Sequence, residues 1–78
     1  MVRLVFLGRL ADVAGAGEMC VGAGALAQVL ADLPGELAQA LTGPKVRVAL
    51  NGALVGDVSA LVLGAGDEVA FLPPVSGG

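Results

Sequence analysis

Two kinds of apolar spacing alternate along this chain, and they limit its fold more than any other feature. "VRLVFL" at 2–7 and "DEVAFL" at 67–72 place apolar residues on both sides of an extended chain, as a buried strand does. Between these runs the spacing is helical, with apolar residues three and four apart at Leu26, Val29, Leu30 and Leu33. Strands at both ends and a helix between them predict an α+β domain.

Shorter patterns complete the predicted order of elements. "EMCV" at 18–21 is typical of an antiparallel return strand, and "KVRVAL" at 45–50 alternates as a strand. Asn51-Gly52 is the strongest hairpin signal and leads into a strand at 53–55. We expect the main helix over 25–33, interrupted by Pro34 and followed by a short second helix at 35–41.

This order indicates a β-grasp arrangement, a mixed sheet with its first and last strands side by side and one main helix on one face. We expect the β-grasp domain to occupy residues 1–74 and a flexible Gly-Gly tail residues 75–78. A single helix covers only one face of such a sheet, so apolar residues on the other face mark a docking surface. Strand alternation leaves four apolar residues on or near that open face: Val5, Leu7, Leu54 and Leu72.

Composition excludes most stand-alone chemistry. Histidine is absent, so neither a Ser-His-Asp arrangement nor a histidine metal site can form, and no metal is expected. The single cysteine, Cys20, is predicted to be a small buried hydrophobe, and the scattered carboxylates to be solvated surface. We therefore do not expect the chain to be catalytic alone.

Charge and hydropathy narrow the range of partners. A net charge of −3 with four basic residues argues against a nucleic-acid partner. The apolar runs are short and interrupted by charges, whereas a membrane-spanning helix needs about 20 apolar residues. We expect no membrane segment, and a cytoplasmic protein.

The final stretch, "FLPPVSGG", is the strongest candidate for function. Pro73 and Pro74 lack amide donors, end a strand and hold the chain extended, while Gly77 and Gly78 could pass a narrow channel. A C-terminal carboxylate can attack the α-phosphate of ATP to form an acyl-adenylate. The chain has neither a P-loop nor a dinucleotide fingerprint, so we expect no bound cofactor and ATP held by a partner.

"VRLVFLGRLADVAG", "VALNGALV" and above all "GDEVAFLPPVSGG" resemble the molybdopterin synthase small subunits of the MoaD/ThiS group, the ubiquitin-like sulfur carriers. The resemblance implies that an adenylyltransferase similar to ubiquitin-activating enzymes adenylates Gly78 with ATP, and that Gly78 then carries a thiocarboxylate. Its sulfur would go to cyclic pyranopterin monophosphate, forming the molybdopterin dithiolene. Gly8 stands where an alanine is common in such sequences.

The same resemblance implies a heterotetramer, in which two small subunits flank a dimer of large subunits. The tail, Val75, Ser76, Gly77 and Gly78, would enter the large subunit's active site. Leu7, Leu54 and Leu72 fall where the family keeps its apolar partner-binding face. Three other functions stay open: a sulfur carrier for another pathway such as thiamine thiazole formation, a ubiquitin-like modifier joined to lysines, and an interaction domain whose tail has no role.

Overall fold

The computed structural model describes residues 1–74, which form seven strands and three short helices. In chain order the elements are β1 (Val2–Phe6), α1 (Arg9–Ala14), β2 (Glu18–Val21), β3 (Gly24–Ala25), α2 (Leu26–Ala31), α3 (Gly35–Leu41), β4 (Arg47–Leu50), β5 (Ala53–Val55), β6 (Val62–Leu63) and β7 (Glu68–Leu72).

Five strands form one mixed sheet in the order β2-β1-β7-β4-β5. The first and last strands, β1 and β7, are parallel neighbours, and every other pair in this sheet is antiparallel. This arrangement confirms the predicted β-grasp fold. Because β7 is the central strand, Pro73 and Pro74, which follow it, lie at the end of the middle strand of the sheet.

The core lies between one face of the sheet and the helices. Alternate residues of β1 and β7 are buried, and the rings of Phe6 and Phe71 stack with centroids 5.9 Å apart. Among them Leu4 pairs in register with Val69, so the two strands contribute the same layers to the core. The face predicted to meet the helices therefore does so, at Val2, Leu4, Phe6, Val69 and Phe71.

The helical layer differs from the single main helix that the sequence predicted. The first predicted helix is shortened to six residues, Leu26–Ala31, because the chain turns at Asp32 before Pro34, and α3 is the longest helix at seven residues. Leu26 and Val29 of α2 and Leu37 and Leu41 of α3 are buried together in the core. Within residues 1–74, no helix is long and apolar enough to cross a membrane.

A second, two-stranded sheet was not predicted. Residues Gly24 and Ala25 pair with Leu63 and Val62, and the Leu26 amide donates to the Leu61 carbonyl at 2.9 Å. Two residues are too few to show strand alternation, which is why the sequence carries no signal for this pair. Its role is to fasten the start of α2 to the long loop before β7.

Candidate functional site

Two prolines follow the end of the central strand. The Leu7 amide donates to the Phe71 carbonyl at 3.1 Å, which continues the β1–β7 ladder beyond β1. After Leu72, Pro73 and Pro74 have no amide hydrogen to donate, so they cannot extend a ladder. The strand ends at Leu72, directly before the prolines, as predicted. We call Pro73 and Pro74 the tail root.

Gly8 lies directly against the tail root. Its backbone has φ +55° and ψ −137°, a conformation that favours glycine, and it precedes the first residue of α1. A Cβ built on Gly8 would lie 3.0 Å from Cγ of Pro73, closer than real Cβ contacts normally are. Gly8 thus lets the chain turn from β1 into α1 directly against the tail root. From the sequence we noted only that Gly8 stands where an alanine is common in similar sequences. The contact with Pro73 was not predicted.

The four predicted tail residues lie outside the described part of the chain. They are Val75, Ser76, Gly77 and Gly78.

The open face of the sheet carries one continuous apolar row. Register places Val5 beside Ala70, Ala70 beside Ala49, and Ala49 beside Leu54, so one residue from each of four strands contributes. The three inner residues are buried or half-buried by their neighbours, while Leu54 at the edge is 70% exposed. We call these four residues the apolar row. Its small central alanines leave a shallow surface bordered by a protruding leucine.

The three leucines predicted to bind a partner lie near this row. Leu7 follows directly after β1 and is 41% exposed, and Leu72 is half-buried at the end of β7, opposite Arg47. Leu7 and Leu72 are thus beside the tail root, whereas Leu54 lies two strands from β7, a separation of about 10 Å. Register therefore places Leu54 and Leu72 on the open face, and Leu7 lies just beyond the end of β1, near the tail root.

A charged group borders the apolar row at the end far from the tail root. Arg3 pairs with Glu68 on β7 through a hydrogen-bonded salt bridge and approaches Glu18 on β2 at 3.9 Å. The hydrogen bond from Arg3 to Glu68, with the charges of Glu68 and Glu18, raises the pKa of Arg3 above its ordinary value. Cys20 lies opposite Arg3 in register and is exposed, so the prediction of a buried Cys20 is wrong. Alternation on the edge strand turns its side chain to the open face.

Asn51 does more than form a turn. It adopts φ +50° beside Gly52 at +87°, which confirms the predicted hairpin turn. Its side chain also donates to Asp67 Oδ1 at 3.1 Å and accepts from the Glu68 amide at 3.0 Å. The other oxygen of Asp67 accepts from the Gly64 amide at 2.8 Å. The hairpin thereby holds the turn that leads into β7.

These hydrogen bonds also set the charge state of the turn. The Gly64 amide and the Asn51 side chain stabilise the ionised form of Asp67 and lower its pKa. The sequence alone predicted Asp67 to be a solvated surface carboxylate. The structure shows instead that its side chain holds the turn through hydrogen bonds. The start of the central strand is fixed by this network, and its other end leads to the tail root.

Comparison with known proteins gives a family match over almost the whole chain. The model of the ThiS family matches residues 4–78. Among curated proteins, none matches the chain by sequence.

Solved structures give the same fold. SAMP1 from Haloferax volcanii is 28% identical with a TM-score of 0.73, and the match covers 99% of this chain and 98% of that one. The HVO 2177 protein of Haloferax volcanii is 30% identical with a TM-score of 0.76, over 99% of this chain and 85% of that one.

A third similar structure comes from a complex. It is the complex of subunits 1 and 2 of molybdopterin-converting factor from Helicobacter pylori, with 24% identity and a TM-score of 0.67. The match covers 99% of this chain and 97% of that chain. At this identity the likeness concerns the fold.

Proposed function

Since the chain belongs to the ThiS family, we propose that it is a ubiquitin-like sulfur carrier and acts as the small subunit of molybdopterin synthase. One observation carries the proposal. The central strand of the sheet runs directly into a proline pair, and a glycine in a conformation unfavourable to other residues makes room for that pair. This packing supports a role for the domain as the holder of the tail.

The proposed chemistry takes place at Gly78. Its α-carboxylate oxygen attacks the α-phosphate of ATP, pyrophosphate leaves, and an acyl-adenylate forms. Hydrosulfide from the sulfur donor then attacks the Gly78 carbonyl carbon, the C–O bond to AMP breaks, AMP leaves, and loss of the sulfur-bound proton gives a thiocarboxylate. An adenylyltransferase similar to ubiquitin-activating enzymes supplies the ATP site. Glycine suits this position because no side chain shields the carbonyl carbon.

The second half of the proposal concerns delivery of the sulfur. A thiocarboxylate enters the active site of a large subunit, gives its one sulfur to cyclic pyranopterin monophosphate and returns to a carboxylate; two such transfers supply the two sulfurs of the molybdopterin dithiolene. The apolar row with Leu7 and Leu72 is suited to the docking of that subunit, since an apolar surface beside the tail root positions and orients the tail at once. Two small subunits and two large subunits would form a heterotetramer. A relative of the same fold is found in a complex of molybdopterin-converting factor subunits 1 and 2.

A second function, that of a protein modifier, is favoured by a specific likeness. The chain is 27–28% identical to SAMP1, the small archaeal modifier protein 1 of Haloferax volcanii. Modification begins from the same acyl-adenylate, but a lysine amine attacks the Gly78 carbonyl in place of sulfur and forms an isopeptide bond. The fold and the tail root serve either chemistry equally.

Reconstitution tests the proposed function and separates it from its alternatives. The chain is combined with its adenylyltransferase, a sulfur donor, ATP, the large subunit and cyclic pyranopterin monophosphate. We expect molybdopterin from the full chain and none from the chain lacking Gly78, whose unfolding midpoint should be unchanged. Molybdopterin formation without Gly78 would refute the tail mechanism. Conjugates of the chain on lysines, detected in cells by mass spectrometry, would support the modifier instead.

A further inference from the structure

Basic residues are concentrated around the tail root. The chain has seven acidic and only four basic residues. Arg3, far from the tail root, is paired with Glu68 and Glu18. The other three basic residues border the tail root, and we call them the basic collar: Arg9, Lys45 and Arg47.

Two depressions define the geometry of the basic collar. The first lies between α1 and the segment before β4, and Arg9, Lys45 and Pro74 line it over an apolar floor that includes Leu10 and Val46. The second is lined by Lys45 and Arg47 together with the tail root and Pro44. Lys45 and Pro74 belong to both, so the two depressions adjoin and the three cations border the tail root. In the described part of the chain, no carboxylate lines either depression.

The basic collar is not explained by the stability of the domain. All seven acidic side chains of the chain lie within residues 1–74. None of their carboxylate oxygens is within 4.0 Å of a basic nitrogen of Arg9, Lys45 or Arg47. Like charges gathered at one end repel one another, and no ion pair within residues 1–74 offsets that repulsion. A surface of opposite charge would remove that repulsion on contact.

From this distribution we infer that the basic collar docks against an acidic rim, formed by Asp and Glu side chains around the opening of the partner protein that receives the tail. The inference rests on the proposed function for the identity of that partner. It adds a second contact to the apolar one, because Arg47 lies opposite Leu72 in register and joins the basic collar to the open face. An apolar centre with a charged border is the usual anatomy of a protein interface.

Charge favours a protein partner over a nucleic acid. Three cations on a chain of net charge −3 give few phosphate contacts, whereas a few carboxylates at an opening match the basic collar in number. Contacts of this kind act over about 8 Å at physiological ionic strength, so they chiefly increase the rate of productive encounter.

A peptide titration tests the charge preference without the partner. Backbone amide shifts of the ¹⁵N-labelled chain are recorded while a hexaglutamate peptide is added at low salt. We expect shifts at Arg9, Lys45 and Arg47 that disappear on addition of salt, with Arg3 unaffected because it is already paired. Absence of shifts at the basic collar, or equal shifts at Arg3, would overturn the inference.

Binding to the large subunit tests the partner. Lys45→Gln is compared with Ala27→Glu, which lowers the net charge equally at an exposed position of α2. We expect Lys45→Gln to weaken binding about threefold at low salt, with the loss vanishing at high salt, and Ala27→Glu to leave it unchanged. Equal affinities for the two variants would contradict an acidic rim. If the unsubstituted chain fails to bind while hexaglutamate still shifts the basic collar, the proposed function fails and the anion preference stands.

Discussion

Gly8 and Pro73 lie in such close contact that a Cβ on Gly8 would come within 3.0 Å of Cγ of Pro73. The contact joins the end of the first strand to the exit from the last strand. It therefore couples the backbone conformation at position 8 to the direction in which the chain leaves the sheet.

Gly8→Ala is expected to lower the free energy of unfolding by roughly 2 kcal/mol or more, because the new Cβ meets both a positive φ and Pro73. Gly15→Ala is the control for positive φ alone: Gly15 has φ +77° and ψ +10°, in the left-handed helical region, with open space beside it, so only a conformational cost of about 1–2 kcal/mol applies. Urea unfolding monitored by circular dichroism measures both. A loss for Gly8→Ala no larger than the loss for Gly15→Ala would contradict an added cost from ψ −137° and the Pro73 contact at position 8.

Asn51 is expected to stabilise the domain through both its backbone and its side chain. Asn51→Ala loses two hydrogen bonds to the turn before β7 and strains φ +50°, whereas Asn51→Gly loses the hydrogen bonds alone. We predict that alanine lowers the free energy of unfolding by about 1 kcal/mol more than glycine does. If the alanine and glycine variants unfold at the same urea concentration, the strain argument is wrong.

Acid stability should depend on Asp67. Its pKa is lowered in the folded protein, so its contribution to stability is complete above the ordinary carboxyl value of 3.8 and disappears as the pH falls through the lowered value. Asp67→Asn should therefore flatten the decline of stability below pH 3.8, and Asn51→Gly, which removes one donor, should flatten it partly. Urea midpoints measured across this range give the slopes. A decline as steep in Asp67→Asn as in the unsubstituted chain would contradict the assigned hydrogen bonds.

Leu54 offers the cleanest test of the docking face, because it is 70% exposed and its replacement leaves the core intact. Leu54→Asp should weaken binding of the large subunit by about tenfold or more while the unfolding midpoint stays the same. Val62→Asp is the matched control, since Val62 is 68% exposed but lies on the separate two-stranded sheet. Calorimetric titration measures both affinities. Equal losses of affinity would mean that the open face has no special role.

The fold was predictable where the apolar spacing is long enough to show its period. Five-residue strands such as β1 and β7 alternate clearly, and the Asn51-Gly52 turn has a strong local signal. The two-residue strands β3 and β6 have no period to detect, and the early end of α2 depends on the turn at Asp32. Local pattern thus predicted the sheet but not the way its helical side is closed.

The candidate site, like the fold, was predictable from the sequence only in part. Alternation alone predicted the open face for Leu54 and Leu72, where the register places them, because the side of a strand is a local property. Two other features of the site were not predictable: the contact of Gly8 with Pro73, and the depression that Arg9 and Lys45 line together with Pro74. Each brings together residues more than thirty positions apart, and local sequence patterns do not reveal such contacts. The exposed side of Cys20 was likewise missed, because the edge position of β2 follows from the sheet order.

The central claim, that Gly78 becomes a thiocarboxylate, is tested most directly by intact-mass spectrometry. The chain is incubated with its adenylyltransferase, ATP and a sulfur donor, beside an identical sample without ATP. We predict a mass increase equal to the exchange of one oxygen for one sulfur, located at Gly78 by fragmentation and dependent on ATP. An unchanged mass in the presence of a demonstrably active adenylyltransferase would contradict the account.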